Sequence, residues 1–409
     1  MEVIEYRPTK LTLDQGDLDY LLSLVRSASG DRTDARLLQA ITPTHKPDVY
    51  EVTAGPYVGR LGLPSGRWID FRSRFPFEDV IELIRRSARH PIRADKLRVD
   101  AHAAAFLTEA IALAFACELE SLVGQGLAKG YERIRHYRPP YPGRLDPAYH
   151  VGRFAARPDR LVTVGRHLTT NVPVNQAAAV ALDVLSRVPL AREISTRLAR
   201  LAPAFVRVAR APIRAEDVGR IPLTNLTRRY RQALGLTEAI LRSQSLAPRS
   251  AGLAGGSLLF FMPKVWEAYV SQWLAEQWPE HRIVAPHRFQ LTNDGQTAEA
   301  DATVWAGDEL VALYDAKYKW PGSTPDRGDI YQMVTYCERL GLEQSTLVYP
   351  VAAPRVTVTI GNKVVHVLGV APSFAPLASA NDAIDTAGKN SDACGDALAS
   401  TVLRGLEVE

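Results

Sequence analysis

The pattern of apolar and polar positions changes character three times along the chain. Through residues 1–92 one stretch, 17–28, repeats with a helical period. The remainder alternates over short spans, Val49-Tyr50-Glu51-Val52, Tyr57-Val58-Gly59-Arg60-Leu61 and Trp68-Ile69-Asp70-Phe71. Gly55-Pro56 and Pro64-Ser65-Gly66 punctuate these spans, so the pattern predicts a small antiparallel meander. From 77–89 the helical period takes over, with helices predicted at 101–127, 174–188, 191–204 and 226–241. Pro139, Pro140 and Pro142 break this region once, and the glycines between Gly252 and Gly256 close it. Beyond 258 the order is helix (263–278, with Pro263 suited to its first position), strands at 288–291 and 300–305, a turn at Ala306-Gly307-Asp308, and a strand-like run at 310–318. A helix at 329–340, a strand at 345–351 and a hairpin of 356–360 with 364–368, turning on Gly361-Asn362, follow.

A helix, several strands and a crossover helix make an α/β unit, so the expected class is α/β within an α+β multidomain chain. The expected domains are a β-rich one at 1–95, a mostly helical middle region at 96–252, an α/β domain at 257–371, and a flexible tail at 372–409, where Ala, Ser, Asp, Asn and Gly replace any apolar period. No internal repeat is visible.

The 409 residues exceed what one hydrophobic core usually holds, and 46% hydrophobic with 23% charged residues is an ordinary globular balance. The apolar run at 110–117 falls well short of the roughly 20 residues that span a bilayer. Acids at Glu2 and Glu5 stand where a secretory signal carries bases, so a cytoplasmic protein is expected. Cys117, Cys337 and Cys394 are too far apart for a CxxC zinc site or a disulfide framework. The histidines are scattered, no nucleophile elbow occurs, and no GxxxxGK[ST] loop is present. Between 185 and 231 eleven arginines face three acids and no lysine, either a cationic face that follows a phosphate backbone or arginine simply coating solvated helices.

The candidate chemistry lies at the end of the strand-like run Leu310-Val311-Ala312-Leu313-Tyr314, which leads straight into Asp315-Ala316-Lys317. An acid and an amine two residues apart share a strand face, and a charge emerging from a core requires a partner. Asp301, in the preceding strand and joined through the Gly307 turn, is placed by antiparallel pairing to bring a second carboxylate to Asp315. Two such carboxylates suit Mg²⁺, with Lys317 orienting or deprotonating a water. Gln332 and Tyr336 stand four apart on one face of the next helix, and Glu267 in Val265-Trp266-Glu267-Ala268-Tyr269 offers a third acid. Taken singly, each has a plain explanation as an ion pair or a solvated helical residue. Their order together, with these element types between them, favours a metal-dependent hydrolytic site.

The order Asp301, Asp315-Ala316-Lys317, Gln332-x-x-x-Tyr336 resembles the PD-(D/E)XK nuclease fold. Val265-Trp266-Glu267, Asp315-Ala316-Lys317-Tyr318-Lys319, Asp329-Ile330-Tyr331-Gln332-Met333 and Leu347-Val348-Tyr349-Pro350 resemble the McrC family in particular. Upstream, Tyr141-Pro142-Gly143-Arg144-Leu145-Asp146 is similar to that family's RGRID segment, Val172-Pro173-Val174-Asn175-Gln176 to its TPENR segment, and Leu223-Thr224-Asn225 to Tyr230 to its LNRHY segment. Ala300 stands in place of the proline usual before the first acid, and Val174-Asn175-Gln176 in place of Glu-Asn-Arg.

The resemblance implies the cleavage subunit of a modification-dependent, 5-methylcytosine-type restriction system. It would act with Mg²⁺ on modified double-stranded DNA, beside a hexameric AAA+ GTPase of McrB type that holds the GTP and is contacted by the N-terminal and middle regions. Asp301, Asp315, Lys317, Gln332 and Glu267 are then the expected site residues, with Asp301, Asp315 and Glu267 as metal ligands. The alternative is a non-catalytic adaptor that activates the motor while another chain cuts; it gives no reason to keep a costly cluster of charges.

Overall fold

The computed structural model describes residues 1–27, 36–90, 92, 107–154, 161–245, 256–319, 325–351 and 356–372. The tail expected beyond 372, the first residues of the helix expected at 101–127, and Gly252 and Gly255 lie outside the described residues. The chain builds two compact units. One comprises the described residues of Met1–Asp95 and Leu259–Glu409, the other those of Lys96–Ser245 with Gly255–Leu258.

In the first unit, the N-terminal segment makes two small sheets around the helix Gln15–Ser27. Glu2–Ile4 runs parallel to Trp68–Arg72, which pairs antiparallel with Tyr57–Gly62; the part of strand Ser257–Phe261 belonging to this unit completes that sheet. Thr9–Thr12, Val49–Ala54 and Leu38–Pro43 form the other. Leu21, Leu24, Val52, Leu61, Ile69 and Leu259 fill the core between them. The three strands expected from alternation are present, but alternation misjudges one pair. Arg60 and Asp70 are register partners, both buried, with Nε and Oδ1 2.6 Å apart. Each charge is tolerated inside because the other lies directly across the ladder. Gly55 is required where it stands, since a Cβ there would come within 1.8 Å of the Arg36 carbonyl oxygen.

The C-terminal segment of the same unit carries a six-stranded sheet in the order Arg282–Val284, Ala302–Ala306, Glu309–Ala316, Gln344–Tyr349, Lys363–Gly369, Val356–Ile360. Glu309–Ala316 is antiparallel to Ala302–Ala306 and parallel to Gln344–Tyr349, and the helix Arg327–Leu340 makes the crossover that parallel pairing requires. Asp326 caps that helix by accepting from the Gly328 N–H at 2.8 Å, and Gly341, with φ 73°, ends it. Ile330, Met333 and Cys337 bury its inner face against Leu313, Leu347 and Val365. The helix Met262–Gln277 anchors through fully buried Trp266, whose Nε1 donates to the Val348 carbonyl at 3.1 Å.

The second unit packs the helices Leu107–Gly124, Pro173–Leu185, Arg192–Leu201 and Arg231–Ser245. Beside these it has a three-stranded antiparallel sheet, with Thr163–Thr169 between Gly130–His136 and Arg144–Leu145. The sequence pattern did not foretell this sheet. Tyr131 is 73% and Leu168 56% exposed, and the buried alternation that marks a strand is confined to Thr163 and Gly165. The helix expected at 191–204 gives way to a 3₁₀ turn, Ala202–Phe205, at Pro203, which has no N–H to continue the α ladder.

Two of the upstream segments that resemble family motifs meet inside this unit through Asn175 and Tyr230. Asn175 is fully buried, donates to the carbonyls of Ala128 at 2.9 Å and Thr170 at 2.7 Å, and accepts from the Tyr230 hydroxyl at 2.7 Å. That hydroxyl in turn accepts from the Ala128 N–H at 2.7 Å. The cationic window is partly neutralised at home: Arg197 pairs with Glu120, Arg210 with Asp183, and Arg214 and Arg220 flank Asp217.

Candidate functional site

Asp301 occupies a break between two strands that belong to different sheets, Thr297–Ala300 paired with His287–Gln290 and Ala302–Ala306 paired with Glu309–Ala316. The break turns its side chain toward the end of the neighbouring strand, where Oδ2 accepts from the Ala316 N–H at 2.8 Å. Asp315 is the penultimate residue of that strand. With strands on either side of it, only 3% of its surface remains exposed. The Lys317 N–H still reaches the Val348 carbonyl, at 2.8 Å, so the extended backbone persists long enough for Asp315 and Lys317 to share a face. Their side chains form an ion pair, Nζ to Oδ2 2.7 Å.

Gln332 comes from the crossover helix and joins both. Its Nε2 donates to Asp315 Oδ1 at 3.1 Å, and its Oε1 accepts from Lys317 Nζ at 3.0 Å. Tyr336, one turn on, lies with its hydroxyl 3.2 Å from Gln332 Nε2. The structure therefore brings together Asp301, Asp315, Lys317, Gln332 and Tyr336. Glu267 pairs first with its helical neighbour Lys264, at 2.5 Å, and reaches the group through its field.

The electrostatics are those of an acid cluster short of cations. Burial pushes the Asp301 carboxyl up to about 8, and the neighbouring Asp315 and Glu267 carboxylates add to it; the Ala316 N–H and Lys264 oppose. Burial also raises Glu267, Lys264 works against that, and Asp315 and Glu299 reinforce it. For Lys317 burial acts against the charged form, but Asp315, then Asp329 and Asp301, outweigh it and hold the ammonium above its ordinary value. Asp329, three residues before Gln332 on the same helix, lies 3.5 Å from Lys317 and 2.5 Å from Lys319. It was not among the expected site residues, although its i, i+3 spacing to Gln332 was legible.

Among the described residues no three His, Cys, Asp or Glu side chains close into a metal-holding group by themselves. The donor chemistry still fits a hard divalent ion. Asp301 and Asp315 bring carboxylate oxygens to one place with Glu267 nearby, and Mg²⁺ is commonly held by one or two carboxylates with waters.

A family model described as "McrBC 5-methylcytosine restriction system component" matches residues 52–350. A Thermococcus gammatolerans assembly of McrB AAA+ hexamers with bound McrC contains a chain similar in fold, with 13% sequence identity, a TM-score of 0.59, and 99% of each chain covered. A second structure, the Thermococcus gammatolerans McrBC complex, has a chain 14% identical with a TM-score of 0.47, over 69% of this chain and 89% of that one. No curated protein matches the chain. The family model covers most of the chain, from the N-terminal strands through Asp301, Asp315, Lys317 and Gln332, so this protein belongs to the family of McrBC 5-methylcytosine restriction system components.

Proposed function

We propose that this chain is the DNA-cutting member of its restriction system, a PD-(D/E)XK-type endonuclease that hydrolyses phosphodiester bonds with Mg²⁺ and acts beside a hexameric AAA+ GTPase of McrB type. The observation that carries the reading is the convergence of Asp301, Asp315, Lys317 and Gln332 at one sheet end, from a hairpin and its crossover helix. Asp301 and Asp315, with Glu267 beside them, would hold the ion, whose chemistry is to stabilise charge developing on the phosphate oxygens.

The chain's own residues divide the remaining work. Lys317, kept charged by Asp315 and Asp329, is a cation that attracts the phosphate and orients the attacking water; an ammonium so stabilised is a poor base. Gln332 spans Asp315 and Lys317 and fixes the distance between acid and amine. Tyr336 and the Ala316 N–H hold Gln332 and Asp301 from behind. The double-stranded, base-modified substrate and the GTP-hydrolysing partner accord with the family description and with the assembly in which the similar fold occurs.

The test is cleavage of methylated and unmethylated plasmid by the full chain with its AAA+ partner, GTP and Mg²⁺. Asp315→Asn is expected to abolish cutting while leaving stimulation of the partner's GTPase intact. Undiminished cutting by folded Asp315→Asn would refute the assignment.

A further inference from the structure

The backbone that carries Lys317 leaves the sheet immediately after it. Beyond the Lys317 N–H bond to Val348, no strand pairing holds residues 317–319. Besides the ion pairs of Lys317 and Lys319, what holds them comes from the other end of the same unit. The Arg74 guanidinium donates to the Tyr318 carbonyl at 2.6 Å and lies over the rings of Tyr6, Phe75 and Tyr318, 4.8, 5.2 and 5.4 Å from their centroids. The Tyr318 ring meets Phe75 edge to face, at 5.0 Å. Its hydroxyl lies 3.1 Å from Ser73 Oγ and 3.3 Å from Glu5 Oε2. Glu5 completes the cage by accepting from the Arg74 N–H at 3.4 Å. Tyr318 is 7% and Glu5 1% exposed.

We propose that Tyr318, caged by Glu5, Ser73 and Arg74, is a positioning residue that sets the place of the Lys317 ammonium, so that the residues just after the strands Glu2–Ile4 and Trp68–Arg72 are part of the cutting site. This rests on the reading of the cluster as a nuclease site. Tyr318 follows Lys317 directly in the chain, with Cα atoms about 3.8 Å apart, so holding Tyr318 holds the backbone from which the Lys317 side chain starts. The Lys317 Nζ contacts, 2.7 Å to Asp315 and 3.0 Å to Gln332, have little slack to absorb it. None of the cage's hydrogen bonds goes to Asp301 or Asp315.

Two measurements on the full chain test this. The first is acylation of Lys317 by N-hydroxysuccinimide acetate, followed by peptide mass spectrometry; it needs no cleavage. Arg74→Ala and Tyr318→Phe should each raise the Lys317 labelling rate several-fold, while lysines remote from the cage label as before. Glu5→Gln, which retains the accepting oxygen, should restore the slow rate that Glu5→Ala loses. Unchanged Lys317 labelling in Tyr318→Phe, the variant that keeps the ring and its packing, overturns the proposal.

The second is DNA cleavage with the AAA+ partner. Misplacing a group by about 1 Å can cost up to about a hundredfold, so kcat in Arg74→Ala should fall about ten- to a hundredfold with KM for DNA unchanged. A kcat equal to wild type overturns positioning even if the wild-type chain cuts well. A wild-type chain that does not cut at all refutes the nuclease reading instead, and the labelling then still decides whether the cage places Lys317.

Discussion

Glu5→Gln isolates one buried acid and gives a signed, sizeable effect on stability. Burial pushes the Glu5 carboxyl from its ordinary 4.5 up to about 8, although Arg74, by charge and through its N–H, and Tyr318 pull the other way. Between these two values the folded chain keeps a proton that the unfolded chain has released. The stability tied to Glu5 is therefore full below about pH 4.5 and is lost as pH rises to about 8. At about 1.36 kcal/mol per pH unit, the whole window corresponds to about 5 kcal/mol, and the part between pH 5 and pH 8 to about 4 kcal/mol. Glutamine has no proton to keep, and the other acids contribute equally to both proteins. Urea midpoints of the full chain without Mg²⁺ should thus fall more steeply with pH for wild type than for Glu5→Gln, with the two curves diverging by that amount. Parallel curves from pH 5 to pH 8 would show that Glu5 is ionised in the folded protein and would refute the reasoning.

Removing the amine from the site should cost stability as well as activity: Lys317→Met leaves Asp315, 3% exposed, without its counter-charge, and a loss of about 3 kcal/mol is expected in a denaturant titration without metal. Mg²⁺ at ten times its dissociation constant should stabilise the wild-type chain by about 1.4 kcal/mol, read as a rise in unfolding midpoint that is absent in Asp315→Asn. In the second unit Tyr230→Phe should cost about 2 kcal/mol, because the Ala128 N–H loses its acceptor and Asn175 Oδ1 its donor while both stay buried. Circular dichroism during urea unfolding checks this, and partner GTPase stimulation measured below the transition should be unaffected.

The local part of the site was legible from the chain alone. An apolar strand running into Asp315-Ala316-Lys317, a Gly307 turn and a second strand expected at 300–305 dictate an antiparallel hairpin. The hairpin brings Asp301 near the end of the Glu309–Ala316 strand, although Asp301 was expected inside a strand and instead sits in the break between Thr297–Ala300 and Ala302–Ala306. Gln332 and Tyr336 followed from helical spacing, because i and i+4 share a face. These relations are short in sequence, and periodicity encodes them directly.

Tertiary structure decided what periodicity cannot carry, the identity of distant partners. Nothing in Tyr318-Lys319 announces that the ring will find Glu5, 313 residues earlier, or that the Arg74 guanidinium will take its carbonyl. Asp329 became part of the Lys317 environment only when the crossover helix docked. Alternation alone did not say that Arg60 and Asp70 would meet inside the sheet, and Arg197 read as cationic surface until Glu120 lay beside it. The strand Gly130–His136 remained hidden because the signal of a strand is burial on one face and it has no buried residue, while in Thr163–Thr169 burial is confined to its first residues. A single chain's pattern reports how much of each element is buried; which charge neutralises which is settled by proximity in space, where Coulomb energy and desolvation are decided.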